Sequence, residues 1–205
     1  AEDAREQGPP AARSAGVPEL ATAAKRLGYA ASLDEVGTVA TVCAKEVLAA
    51  QHAALLRIEQ QTCRVLAVAP GARDTREIDM SRAEFRAEDR PALNSLIRDR
   101  LPWVASAYDE DGTPFPPGDP RAGDEVEVET LLALGAAAAM AVPVEVNGTV
   151  WGEVYVTRNA PGERFGPTEL AAATVLAGLV GGAVARVDLE AQVRHLVADD
   201  PLTGL

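Results

Sequence analysis

The chain has 205 residues, a formal net charge of −12, and a composition that is 47% hydrophobic but only 4% aromatic. That length accommodates one domain of about 150 residues with extensions, its core built mainly from Ala, Val and Leu, and the acidic balance without a basic run argues against a nucleic-acid or anionic-membrane surface. No signal peptide and no uncharged apolar stretch of about 18 residues is present, so the expectation is a soluble, cytoplasmic protein with no membrane partner.

The first 16 residues carry Gly8-Pro9-Pro10 among scattered charges and have the composition of a linker or disordered arm. From Pro18, the recurrence of Leu20, Ala23, Ala24 and Leu27 predicts a first helix ending near Gly28. Ser32, with Glu35 three residues on, reads as a capping box. It opens a second helix whose inner stripe is Leu33, Val36, Val39, Ala40, Cys43 and Val47. After Gln51 the period shortens, and 53–58 and 63–68 predict two strands joined by a polar turn at 59–61. Cys43 on a helix and Cys63 on a strand have no metal-ligand neighbours, and both read as small buried hydrophobes in a reducing compartment.

Residues 83–100 contain another helical segment, and 102–105 form a short apolar strand. Between Tyr108 and Asp124 the chain holds turn residues and almost no aliphatics, a long loop of the kind that serves as a lid or a disordered insertion. A short helix over 126–134 follows. Then 137–146, the Asn147-Gly148 turn and 150–157 predict a second hairpin, Asn-Gly being the strongest short hairpin signal.

Pro167 opens the last helix, whose apolar residues recur without an interior proline for about thirty positions, over 168–197. Leu176, Val180, Val184 and Val187 share one face. Leu179, Gly182, Leu189, Val193 and Leu196 share another, the last three at the four-then-three spacing of a coiled-coil seam. One face is expected to cover the chain's own core and the other to meet a second copy, Gly181 and Gly182 allowing close backbone approach.

Two resemblances follow from these segments. The hexapeptide Asp200-Pro201-Leu202-Thr203-Gly204-Leu205, directly after the seam-bearing helix, resembles the entry sequence of GGDEF domains, the catalytic domains of diguanylate cyclases. The run from Ala139-Met140-Ala141 through Pro143, Asn147-Gly148 and Trp151-Gly152-Glu153-Val154, with Phe165 before Thr168-Glu169-Leu170, resembles the central hairpin and last-helix entry of GAF domains. The GAF resemblance implies an α+β fold, a central antiparallel sheet with helices on both faces and a long C-terminal signalling helix. Together the two imply an arm over 1–16, a GAF domain over 17–187, a signalling helix or coiled coil over 188–199 and the start of a GGDEF domain at 200–205. The implied function is a homodimeric small-molecule sensor controlling an attached diguanylate cyclase, which makes cyclic di-GMP. In that reading Asp200, Leu202, Thr203, Gly204 and Leu205 form the output junction.

GAF ligands usually lie on one sheet face beneath a variable region, here about 85–134. The residues assigned to such a site are Phe85, Arg98, Trp103, Tyr108 and Met140, with Phe115, Arg100 and Arg121 nearby. A ligand would be non-covalent, a cyclic nucleotide or a metabolite. The cyclic-nucleotide signature of phosphodiesterase GAF domains is not recognisable, neither cysteine lies where a bilin would attach, and neither His52 nor His195 matches a haem ligand. No cofactor or metal is expected. Nor is an enzyme: Walker, nucleophile-elbow, zinc-protease and Cys-x-x-Cys motifs are all missing. Two other readings stay open, a ligand-free GAF dimerisation scaffold filled by its own side chains and a GAF binding module serving a different output.

Overall fold

The computed structural model describes residues 16–69 and 84–198. The arm at 1–15 and the output junction at 199–205 therefore lie outside the described residues.

Helix α1 (Val17–Tyr29) and helix α2 (Leu33–Leu48) come first. The cap expected at Ser32 is present: its Oγ accepts a hydrogen bond from the Glu35 backbone N–H at 3.2 Å. The Glu35 carboxylate reaches back to the Ala31 N–H at 2.7 Å, one residue earlier than in the standard capping box. Strands β1 (His52–Glu59) and β2 (Thr62–Val68) form the first hairpin. Gln60 and Gln61 at its tip both have positive φ, 48° and 69°, the geometry of a two-residue turn that matches strand twist.

A short strand β3 (Glu84–Arg86) and a single 3₁₀ turn lead into α3 (Pro91–Asp99). Strand β4 (Trp103–Ser106) and helix α4 (Glu125–Leu134) flank the long loop. The main hairpin, β5 (Ala138–Val146) and β6 (Thr149–Arg158), follows. Gly148, at φ 77°, supplies the left-handed residue its turn requires. Helix α5 (Pro167–Ala198) ends the described chain as 32 uninterrupted residues.

The six strands form one antiparallel sheet in the order β3-β2-β1-β6-β5-β4. Because side chains alternate along a strand, Val154 and Val156 of β6 and Met140, Val142 and Val144 of β5 point to one face, where they pack with α1, α2 and α5. Leu176, Val180, Val184 and Val187 of α5 are buried there as the spacing predicted. Each such side chain contributes about 1.5–3 kcal/mol by leaving water. Helices α3 and α4 cover the other face. The α+β sheet with helices on both faces is the expected architecture.

Buried Arg158 ties the ends of these elements together. Its guanidinium donates to the carbonyls of Arg164 (2.6 Å) and Leu48 (2.7 Å), and it stacks over Phe165 at 4.3 Å.

Three expectations are corrected. The loop at 108–124 is neither a lid nor unstructured. The Asp109 carboxylate accepts from the Asp111 and Thr113 N–H groups, and Phe115 is held between Arg121 and Arg164, both of which pack on its ring. Backbone bonds from Ser106 to Ala122 and from Phe115 to Ala107 fasten it to β4. Gly181 does not await a second copy: a Cβ there would lie 2.3 Å from the Glu145 carbonyl oxygen, so it lets α5 close on β5 of its own chain. Leu179 is half-buried against the core instead of belonging fully to the outer stripe.

The rest of that stripe is exposed. Leu189, Val193 and Leu196 show 61%, 51% and 72% of their surface, Val175 is also exposed, and nothing lies near Gly182. By length and composition α5 would suffice to cross a membrane, but half of its apolar window is buried inside the domain, as in a core helix.

Candidate functional site

Between the sheet and its α3–α4 cover lies a cavity of about 90 Å³. Its floor follows from strand alternation: with Val154 and Val156 committed to the three-helix core, Glu153, Tyr155 and Thr157 of β6 must face the other way. Leu56 of β1 sits opposite Glu153 in the ladder, and Val65 of β2 sits opposite Leu56. Arg90, just ahead of α3, and Glu127 of α4 close the top. Phe85 and Trp103 form the side walls, and His52 and Asn159, paired at 3.2 Å, belong to the rim.

Most of this lining is apolar, which makes its charged groups conspicuous. Arg90 Nε lies 3.2 Å from Glu127 Oε1, Arg90 Nη1 donates to Thr130 Oγ1 at 2.8 Å, and the guanidinium packs over Phe85 at 5.1 Å. Asp124 caps α4, its carboxylate accepting from the Glu127 N–H. Glu127 and Glu153 are 2% and 3% exposed. Glu127 Oε2, Glu153 Oε2, the Tyr155 hydroxyl and the Trp103 indole N–H are buried without a protein hydrogen-bond partner. Buried polar atoms are seldom left unpaired. In a cavity of this size, water or a ligand supplies what the protein does not.

Burial governs the protonation of this group. The Glu153 carboxyl is pushed up to about 8, first by desolvation and then by the nearby Glu127 charge, with Arg90 opposing. Desolvation also raises Glu127, against the pull of Arg90. The Tyr155 phenol and the Cys63 thiol on the same sheet face are raised by burial as well. At neutral pH the cavity therefore holds a protonated Glu153 beside the Arg90–Glu127 contact.

Of the residues assigned from sequence, Phe85 and Trp103 line this cavity, Trp103 also packing against Tyr155 with ring centroids 5.9 Å apart. Met140 sits on the opposite sheet face, in the three-helix core. Arg98 is exposed and forks onto Asp99. Tyr108 belongs to the fastened loop, bridged to Pro114. Arg100 pairs with Glu145 at 3.5 Å, and Arg121 with Asp119. The residues missed are Arg90, Glu127, Glu153 and Tyr155. A signal existed for Glu153: a lone carboxylate inside the apolar run Val150–Val156 of a hairpin strand. Cys43 and Cys63 are both free and buried, but in cores on opposite faces of the sheet, which separates them.

The model of the GAF domain family matches residues 32–184. An uncharacterized protein in the hutH 5′ region of Streptomyces griseus is 40% identical over 62 residues, covering 30% of this chain and 26% of that protein. Among solved structures, the chromophore-binding domain of the bacteriophytochrome RpBphP3 from R. palustris superposes with a TM-score of 0.66 at 17% identity, over 84% of this chain and 62% of that one. A second structure of the same bacteriophytochrome gives 0.69 at 17%, over 87% and 38%. The chain spans less than two thirds of the length of each of these relatives.

Proposed function

The chain belongs to the GAF domain family, whose members are regulatory sensory modules, and from that premise we propose that it senses a small molecule and, as a homodimer, controls an attached diguanylate cyclase. The carrying observation is the cavity on the α3–α4 face with its four unpartnered buried polar atoms. It supports sensing over a ligand-free scaffold, because a filled pocket would leave neither space nor orphan oxygens. Met140, which a self-filled pocket would have used, is committed to the other core.

The output half of the reading rests on α5. Its inner face closes the sensor's core while Leu189, Val193 and Leu196 stand in solvent, so a second copy can pack along the seam. Residues 188–199 then act as a signalling helix, and Asp200, Leu202, Thr203, Gly204 and Leu205 as the entry to a GGDEF domain. Cyclic di-GMP synthesis requires two GTP-loaded catalytic domains face to face, so a change of register or crossing angle along that helix pair would gate it. A GAF module driving a different output is the competing reading. We place the protein in the cytoplasm, where GTP is available.

The test is the reading frame past Leu205 together with the activity of the full-length product. A Gly-Gly-Asp/Glu-Glu-Phe hairpin downstream, and cyclic di-GMP formed from GTP with a rate that a metabolite panel can alter, is the expected result. A frame without that hairpin ends the cyclase assignment.

A further inference from the structure

The sensor reading leaves the ligand open, and the chemistry of the cavity narrows it. Consider first what the lining offers an anion. Among the described lining residues Arg90 supplies the guanidinium, and it is already engaged by Glu127 at 3.2 Å and Thr130 at 2.8 Å. A phosphate or carboxylate placed here would meet two buried carboxyl groups and break that pair, at the cost of leaving Glu127 uncompensated. The N-terminus of α4 does not offset this, because its first turn is capped by Asp124 and carries Glu125 and Glu127, and α3, which starts behind Arg90, opens on Pro91, a residue with no N–H to offer.

Consider next what it offers a donor. Glu127 Oε2 accepts, Glu153 Oε2 accepts once its carboxyl has lost its proton, and the Tyr155 hydroxyl can accept as well as donate; all three are buried and without a partner. They come from two covers of one space, β6 below and α4 above, so a single group between them can satisfy more than one. Trp103, Tyr155 and Phe85 surround them with aromatic surface, the setting in which a cation is attracted to ring faces. With both carboxyls ionised against one arginine, the cavity carries one uncompensated negative charge.

We propose that this cavity binds a small organic cation, an ammonium or amidinium head group whose N–H donors lie between the Glu153 and Glu127 carboxylates and the Tyr155 hydroxyl. Space limits the ligand: about 90 Å³ holds on the order of six waters, hence a body of about six to nine heavy atoms. Trp103, with its orphan indole N–H, gives that body a place for one acceptor atom.

Binding is coupled to a proton. Burial and the Glu127 charge disfavour the Glu153 anion and keep its carboxyl protonated. The arriving cation reverses that balance, so the Glu153 proton leaves to solvent as the ligand enters. The charged and titratable groups facing Glu153 are Glu127 from α4, Arg90 ahead of α3, Tyr155 beside it on β6, Cys63 from β2 and His52 at the rim. Affinity for a permanently protonated amidinium should therefore rise with pH from 6 to 8.

The inference rests on the sensor reading, and three isosteres test it separately from that reading: benzamidine, benzamide and benzoate, which share a shape and differ in charge. Isothermal titration and thermal shift are run on the full chain, its Glu153→Gln and Tyr155→Phe variants, and Glu59→Gln as an exposed-carboxylate control. We expect benzamidine to bind at least about tenfold more tightly than benzamide, the worth of a charge-assisted hydrogen bond, with no response to benzoate. Glu153→Gln should bring benzamidine and benzamide within about twofold, Tyr155→Phe should weaken both together, and Glu59→Gln should change nothing. Proton release on benzamidine binding, seen as a buffer-dependent heat, should vanish in Glu153→Gln. Equal or tighter binding of benzamide or benzoate overturns the cation assignment and leaves the sensor standing. Silence from all three also overturns it, and the sensor reading falls with it only when a broad metabolite panel is silent too.

Discussion

Replacing Glu153 by Gln should change how the protein's stability depends on pH. The carboxyl, ordinarily near 4.5, stands at about 8 in the folded chain. Between those values the folded state keeps a proton that the unfolded state has given up, so the unfolded state binds fewer protons and stability falls as pH rises. The slope is about 1.4 kcal/mol per pH unit. From pH 5 to pH 8 it removes roughly 4 kcal/mol, on the order of 10 °C in Tm for a chain of this size. The contribution is complete below about pH 4.5 and gone once pH passes 8. Gln keeps the shape and cannot ionise. Other groups titrate in the same window, Glu127 upward by the same cause, so the readout is the difference between wild type and variant. Urea unfolding followed by far-UV circular dichroism at pH 5, 6, 7 and 8 gives it. Wild type should lose stability relative to Glu153→Gln at each step, and the variant should be the more stable protein at pH 8. A difference that stays flat across the series would mean that Glu153 is solvated or paired, and the account of the cavity would be wrong.

Two further predictions concern α5. Gly181 and Gly182 are adjacent but have opposite surroundings: Gly181→Ala should destabilise the fold by about 2 kcal/mol or more by forcing α5 off the Glu145 carbonyl, while Gly182→Ala, in open space, should stabilise the helix by up to about 1 kcal/mol. Thermal melts of the two variants check this, and equal effects would contradict the packing. Val193→Glu with Leu196→Glu should shift the protein from dimer to monomer in light scattering while leaving the far-UV circular dichroism of the domain unchanged; a retained dimer would remove the seam from the signalling path.

Local chemistry was legible along the chain because it depends on neighbours in sequence. Ser32 and Glu35 announced α2, Asn147-Gly148 announced the β5–β6 hairpin, and the 3.6-residue recurrence of Leu176, Val180, Val184 and Val187 announced the buried face of α5. The two aromatic walls, Phe85 and Trp103, were found for a similar reason, lying in a region that the family resemblance had already marked. Met140 lies away from the cavity: the hairpin pattern shows that alternate residues separate to two faces but not which face borders the cavity.

What the amino-acid order determined by itself was most of the inventory: which segments are helix or strand, the edge strand β3 inside the expected helical stretch 83–100 excepted, and that the last helix has a second apolar stripe to hide. What only the folded chain decided was proximity. Arg90, Glu127 and Glu153 are separated by tens of residues and look, one at a time, like ordinary solvated charges. Putting β6 at the centre of the sheet and α4 over it takes their water away. Desolvation is a property of the surroundings in space, so the proton on Glu153, and with it the character of the cavity, exists only once the layers have closed.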